Sequence, residues 1–387
     1  YALAFPWLVA ALEALYPELF AAFARLPPAL ALVRFLAAFL VLLPPTFLMG
    51  ASLPAVAQAA GGDATQSARR TAGLYAANTL GGVAGTLLAG FVLLEKLGLV
   101  ASLRAGAALS ATAGLVALVL AACSRTPMPE DAKVAARSDR RAPGLERLAL
   151  AAALLAGLAS LASELVWTRA LVFFVHNSTY AFSAIVAVYL LGVATGAALA
   201  GRLGRAPAAT LRLLAAALLA ASASLLLAIA VYRALPAVAE LLAGGRRLPP
   251  GLTAAADTAA LLLWSWRDAL LVIFGQVALV LFLPALLLGA VFPLSLRLAP
   301  REAAPAEHVG RLYAANALGS VAGTLLGTFV LVATLGTRGA LLLVAWLPVP
   351  VCLWALRESS PRRRLSPLAA SGLVLLLGRP PVSPGAP

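Results

Sequence analysis

The stretch LYAANTLGGVAGTLLAGFVL at residues 74–93 recurs as LYAANALGSVAGTLLGTFVL at residues 312–331, 238 positions further on, with sixteen of the twenty residues identical. Upstream of each copy lies a second matched pair: Pro45, Gly50, Ala51 and Pro54 of PTFLMGASLP have the same spacing as Pro284, Gly289, Ala290 and Pro293 of PALLLGAVFP. A long-period duplication set in apolar sequence is a signature of membrane bundles built from internal repeats, many secondary transporters among them.

Composition identifies the solvent. With 62% hydrophobic and 11% charged residues and a mean hydropathy of +0.96, the chain cannot dissolve as a monomeric globule. Its apolar runs exceed the roughly 18 to 20 residues that cross a bilayer. They show no alternation of polar and apolar positions, which argues for helices and against a β-barrel, and a helix satisfies its own backbone hydrogen bonds in lipid.

A net charge of +14 on a soluble protein would suggest nucleic acid, but the placement of the charge points elsewhere and no nucleic-acid partner is expected. Basic residues gather in alternate loops: Arg69 and Arg70; Arg125, Lys133, Arg137, Arg140, Arg141 and Arg147; Arg202 and Arg205; Arg297, Arg301 and Arg311; Arg357 and Arg362 to Arg364. The intervening loops hold little beyond Lys96, Arg246, Arg247 and Arg338, so the positive-inside rule assigns the first set to the cytoplasm. Two cysteines, Cys123 and Cys352, about 230 residues apart, support neither a disulfide framework nor a metal site.

This orientation yields a topology. Residues 1–12 read as the tail of a helix and 13–27, with Glu13, Glu18, Arg25 and two prolines, as an outer interfacial connection. Spans are predicted at about 28–58, 72–94 and 98–123, then at about 147–175, 178–201, 210–235, 267–298, 310–334 and 338–357. The Pro- and charge-rich stretch between the two groups divides the chain. Residues 1–123 form a first repeat of about four helices, 124–146 a cytoplasmic linker, 147–358 a second repeat of six helices, and 359–387 a tail with a short apolar segment at 365–377.

Aligned through the duplications, the first repeat lacks two helices of the second. The sequence also opens on Tyr1 in mid-hydrophobic sequence, so an amino-terminal truncation is expected. Six helices per repeat would leave both halves in the same orientation, the parallel arrangement of major facilitator transporters. The expected fold class is therefore all-α: a polytopic, major-facilitator-like bundle of two parallel repeats.

The segment SELVWTRALVFFVHNSTYAFSAIVAVYLLGVATGAALAGRLG (163–204), the paired LYAAN segments and the paired P-x4-GA-x2-P segments resemble the membrane part of bacterial fused spermidine synthase proteins, over nearly all of residues 1–357. The resemblance implies a facilitator-like bundle in the bacterial inner membrane, joined to an aminopropyltransferase domain, with a polyamine or other small molecule as ligand. Within these residues no strand leads into a glycine-rich nucleoside loop. Gly81, Gly82 and Gly85 lie inside a predicted span instead, so no catalytic residue is carried over and no cofactor or metal is expected. Secondary transport of a small, cationic solute is the alternative function.

The small residues have an architectural reading. Ala77, Gly81, Gly85 and Ala89 recur every four positions, as do Ala315, Gly319, Gly323 and Gly327, and Gly192, Gly196 and Ala200 form a third strip; such strips let helix backbones approach closely. Pro45 and Pro284, in mid-span, each remove a helical hydrogen bond and predict a kink.

Polar residues within spans supply the site candidates. Glu164 is the only acidic residue placed deep in a span, where a carboxylate requires a cation, a proton or a cavity. Two readings of it remain open: a cation or proton site, or a structural pairing with Arg169 or Thr168. Arg169, beside Trp167, also reads as an interfacial anchor. Tyr75 with Asn78, and Tyr313 with Asn316, share a face at i, i+3 on duplicated helices, and either line one pseudo-symmetric cavity or hydrogen-bond neighbouring helices. Residues 176–180 read as an outer turn that caps the next helix. His308 reads as a solvated loop residue.

Overall fold

The computed structural model describes residues 4–59, 64–123, 143–175, 178–203, 206–242, 266–298 and 305–359. The greater part of the predicted linker, His176, Asn177, the loop at 243–265 and the apolar segment at 365–377 lie outside the described residues. Among the described residues every element is helical: α1 (Phe5–Phe23), α2 (Pro27–Ala59), α3 (Ala64–Leu88), α4 (Leu94–Cys123), α5 (Pro143–Val175), α6 (Thr179–Arg202), α7 (Pro207–Leu242), α8 (Trp266–Leu296), α9 (Pro305–Leu325), α10 (Val332–Trp346) and α11 (Pro348–Ser359). Five of them open on proline, whose missing N–H loses no hydrogen bond in the first turn. Ser178 caps α6 by accepting the Ala181 N–H at 3.1 Å, as expected of that turn.

Among the described residues, seven helical runs are long and apolar enough to cross a membrane. Two of them, Arg69–Cys123 and Glu307–Ser359, have 55 and 53 residues, which at 1.5 Å per residue is about 80 Å, more than twice a hydrocarbon core. Each is interrupted by a glycine with φ near 70°, Gly98 in the first and Gly336 in the second, a conformation that favours glycine because no Cβ clashes there. Each break follows a short π-helical turn, Ala89–Leu93 after α3 and Leu326–Leu331 after α9. The two glycines are 238 residues apart, the spacing of the duplication, so both copies adopt the same local backbone.

Close helix crossings follow the glycine strips. Leu154, Leu158 and Ala162 of α5 lie against Gly319, Gly323 and Gly327 in that order, so α5 and α9 run parallel. A Cβ on Gly323 would stand 2.9 Å from the Leu158 Cα, a distance that only glycine permits. Gly192 and Gly196 of α6 abut residues 282–290 of α8, and a Cβ on Gly289 would stand 2.5 Å from the Val193 Cα. Against α6, α3 runs antiparallel: Gly201 meets Ala72, Gly82 meets Leu190 and Gly90 meets Ser183. The chain reverses between α5 and α6, hence α3 and α9, the two copies of the duplicated helix, point the same way.

Burial is unequal between the halves. The most apolar stretches of Pro27–Val56 and Arg69–Cys123 bury no residue, against 56% and 61% of those in Gly144–Val172 and Thr179–Arg202. The core therefore lies among α5 to α11, with α3 laid along α6.

Four sequence expectations differ from the structure. Residues 13–23 continue α1 through Pro17 where a connection is predicted; Tyr16 accepts a hydrogen bond from Arg34 of α2, whose guanidinium lies 5.4 Å from the Tyr16 ring centroid. Four residues earlier than predicted, α5 begins at Pro143, so Glu146 is in its first turn and pairs with Arg311 of α9 at 2.6 Å. His308 is helical and buried in α9, with a hydrogen bond to the Leu296 backbone. Trp167 is 1% exposed and packs on Tyr232 with ring centroids 5.6 Å apart, which makes it a core residue and no interfacial anchor.

Candidate functional site

Glu164 lies two-thirds of the way along α5, partly buried, on an apolar helix and flanked by Leu161, Ala162, Leu165 and Val166. Among the described residues it forms no salt bridge. Arg169 is exposed; five residues at about 100° each carry it some 140° round the helix from Glu164. The Thr168 hydroxyl donates to the Glu164 backbone carbonyl at 2.8 Å, a local helical bond that leaves the carboxylate free. Neither partner weighed in the structural reading engages the acid.

One turn back on α5 is Ser160, whose hydroxyl hydrogen-bonds the Tyr189 phenol of α6. Both residues are buried. The Glu164 carboxylate and the Tyr75 phenol are each close enough to act electrostatically on Tyr189. Tyr75 enters from α3 and packs with Tyr189, Val193 and Ala285, so residues of three helices and both halves converge beside the acid.

Aromatic packing extends the cluster. Phe292 of α8 lies between the two duplicated tyrosines, with its ring centroid 5.0 Å from that of Tyr75 and 6.1 Å from that of Tyr313. Tyr75 and Tyr313 thus flank one ring from parallel helices. The asparagines take no part in this. Asn78 is exposed, and Asn316 is partly buried with its backbone carbonyl over Gly157.

Of the six candidate residues, then, Glu164 and Tyr75 meet through Tyr189, Tyr313 joins them through Phe292, and Asn78, Asn316 and Arg169 lie apart. Ser160, Tyr189 and Phe292 are the additions. Tyr189 falls within the 163–204 segment, three residues before Gly192, so it could have been placed on a face neighbouring the α6 glycine strip. Phe292 is inside the duplicated P-x4-GA-x2-P motif, where Leu53 holds the matching place in the first copy.

Chemically, the arrangement offers one carboxylate without a cation among the described residues, a buried pair of hydroxyls and the four aromatic rings of Tyr75, Tyr189, Phe292 and Tyr313. A carboxylate beside aromatic faces suits an organic cation, which gains charge pairing and cation–π attraction together. No family model matches this chain, and no curated protein or solved structure matches it significantly.

Proposed function

We propose that the chain is the membrane bundle of a fused spermidine synthase-like protein, and that it serves aminopropyl transfer by holding a cationic amine, substrate or product, at Glu164. The proposal keeps the parallel two-repeat, facilitator-like architecture, supported by the common direction of α3 and α9 and by their matched π turns and glycine breaks. Its single strongest support is the Glu164 carboxylate, unpaired among the described residues, within an apolar helix and one turn from the Ser160 hydroxyl that hydrogen-bonds the Tyr189 phenol. The family assignment rests on the sequence motifs.

The test is equilibrium binding of radiolabelled spermidine and putrescine to the chain in nanodiscs. Saturable binding that Glu164→Gln removes supports the reading; absence of binding, or binding indifferent to that change, refutes it. A second reading, secondary transport of a small cation, draws on the meeting of α3 of the first half with α5, α6 and α8 of the second at this cluster. Amine uptake into proteoliposomes along an imposed gradient would favour it over a purely enzyme-associated role.

A further inference from the structure

The glycine break serves both copies of the duplication, yet the residues around it differ. Phe91 and Gly98 recur as Phe329 and Gly336, whereas Glu95, between them, has Ala333 as its counterpart. The second copy makes the same π turn and the same break without an acid, so the local backbone does not need the carboxylate. Glu95 is exposed and forms no salt bridge among the described residues. Lys96 follows it, but one residue turns about 100° round the helix and carries the ammonium away from the acid.

Three rings from three elements gather at the same spot. Phe91, in the π turn four residues before Glu95, has its ring centroid 5.4 Å from that of Tyr180 of α6 and 5.8 Å from that of Phe274 of α8. The Tyr180 phenol donates a hydrogen bond to the Glu95 carboxylate. Gly90 permits this convergence, because a Cβ there would stand 2.6 Å from the Ser183 Cβ and force α6 away. Phe91, Tyr180 and Phe274 are each partly buried, whereas Phe329 in the other copy is 71% exposed. On α6, Tyr180 is nine residues from Tyr189, about 14 Å along the axis, toward the end that the arginine distribution assigns to the outside. The cluster is therefore separate from the group around Glu164.

We propose that Glu95, Tyr180, Phe91 and Phe274 form a binding site for an organic ammonium ion at the outer mouth of the seam between α3 and α6. The carboxylate supplies the counter-charge and the rings supply cation–π attraction, a combination that favours an organic ammonium over a strongly hydrated inorganic ion. The site takes its chemistry from its own residues and does not depend on the amine reading of Glu164.

The experiment uses the whole chain in nanodiscs with Cys123→Ala and Cys352→Ala and an environment-sensitive fluorophore on Leu99→Cys, an exposed position four residues past Glu95. Titration with tetramethylammonium or spermidine, at an ionic strength held constant with sodium chloride, should give a saturable change. Glu95→Gln, which keeps an acceptor for Tyr180, should weaken it roughly tenfold or more and leave the thermal midpoint unchanged; Phe91→Leu should weaken it about threefold. Glu164→Gln should leave this signal intact. A response that does not saturate, or that sodium alone reproduces, overturns the proposal, as does full affinity in Glu95→Gln. A marked fall in the midpoint of Glu95→Gln also overturns it, since the acid would then be structural. A response that Glu164→Gln removes and Glu95→Gln spares would place the ammonium at the deep acid alone. Conversely, if Glu95→Gln removes the signal while Glu164→Gln leaves total radiolabelled spermidine binding unchanged, the outer site stands and the Glu164 reading fails.

Discussion

The Ser160 hydroxyl and the Tyr189 phenol meet in a hydrogen bond that ties α5 to α6 inside the bundle, one turn from Glu164. Neither group has water to fall back on, since Ser160 is 8% and Tyr189 5% exposed. Ser160→Ala and Tyr189→Phe should each lower stability by about 1 kcal/mol, because each leaves a buried polar group without its partner. The double variant should lose little more than either single one. Unfolding in mixed micelles measures the cycle, and strictly additive losses would show that the two groups are not coupled.

How far the sequence anticipates this site depends on the physical origin of each feature. The helices were legible because lipid permits few other ways to satisfy a spanning backbone. The break at Gly336 falls between the predicted spans that end at 334 and begin at 338, that at Gly98 falls on the first residue of the predicted span 98–123, and α9 does pack through Gly319 and Gly323 as its four-residue period suggests. What escaped is azimuth. Asn78 shares a helix face with Tyr75 by spacing, yet Tyr75 turns to Phe292 while Asn78 is exposed, because the position of neighbouring helices decides which part of a broad face is covered. Trp167 and His308 were misplaced for a related reason: an amphipathic residue near a helix end fits an interface or a core equally well until its packing partner is known.

Gly196 and Gly289 hold α6 and α8 at backbone contact. Gly196→Leu or Gly289→Leu would drive a side chain into the opposing main chain, where no rotamer of a neighbour can relieve the clash. Each should destabilise the bundle by at least the 1 to 3 kcal/mol typical of overpacking (about 2 kcal/mol or more). Gly106→Leu on α4, with nothing within 4 Å of its Cβ position, should be neutral. Thermal midpoints in detergent compare the three.

The Glu146–Arg311 pair joins the first turn of α5 to α9 at 2.6 Å, but the side chains are 31% and 53% exposed. Exposed pairs are worth about 0 to 1 kcal/mol and are screened by salt. Glu146→Gln should therefore shift the midpoint only slightly at low salt and not at all at high salt. A large shift that persists at high salt would mean that the pair is anchored more deeply than its exposure indicates.

The arginine distribution predicts which loops face the cytoplasm. In sealed cells an impermeant thiol reagent should label Gly245→Cys and spare Ser138→Cys, in a background with Cys123 and Cys352 replaced. The reverse pattern would invert the orientation of every span and detach the bundle from the positive-inside rule.

Glu164 is the sharpest test of function because its rivals differ in what a second substitution does. If the acid were locked to Arg169, Glu164→Gln would strand the guanidinium and destabilise the fold, and adding Arg169→Gln would restore it. The structure keeps Arg169 exposed and commits Thr168 to the backbone carbonyl, so no such rescue is expected. Glu164→Gln should fold with unchanged stability, since it removes a charge from an apolar setting while it preserves shape. Loss of one charge-assisted contact to an ammonium is worth about 1.5 to 3 kcal/mol, or roughly 10- to 100-fold in amine affinity. Tyr189→Phe, which keeps the ring, should weaken binding less than Glu164→Gln does. Binding isotherms and unfolding curves on the same three variants separate the cases: a stability defect rescued by Arg169→Gln makes the acid structural, and full amine affinity in Glu164→Gln removes it from the site.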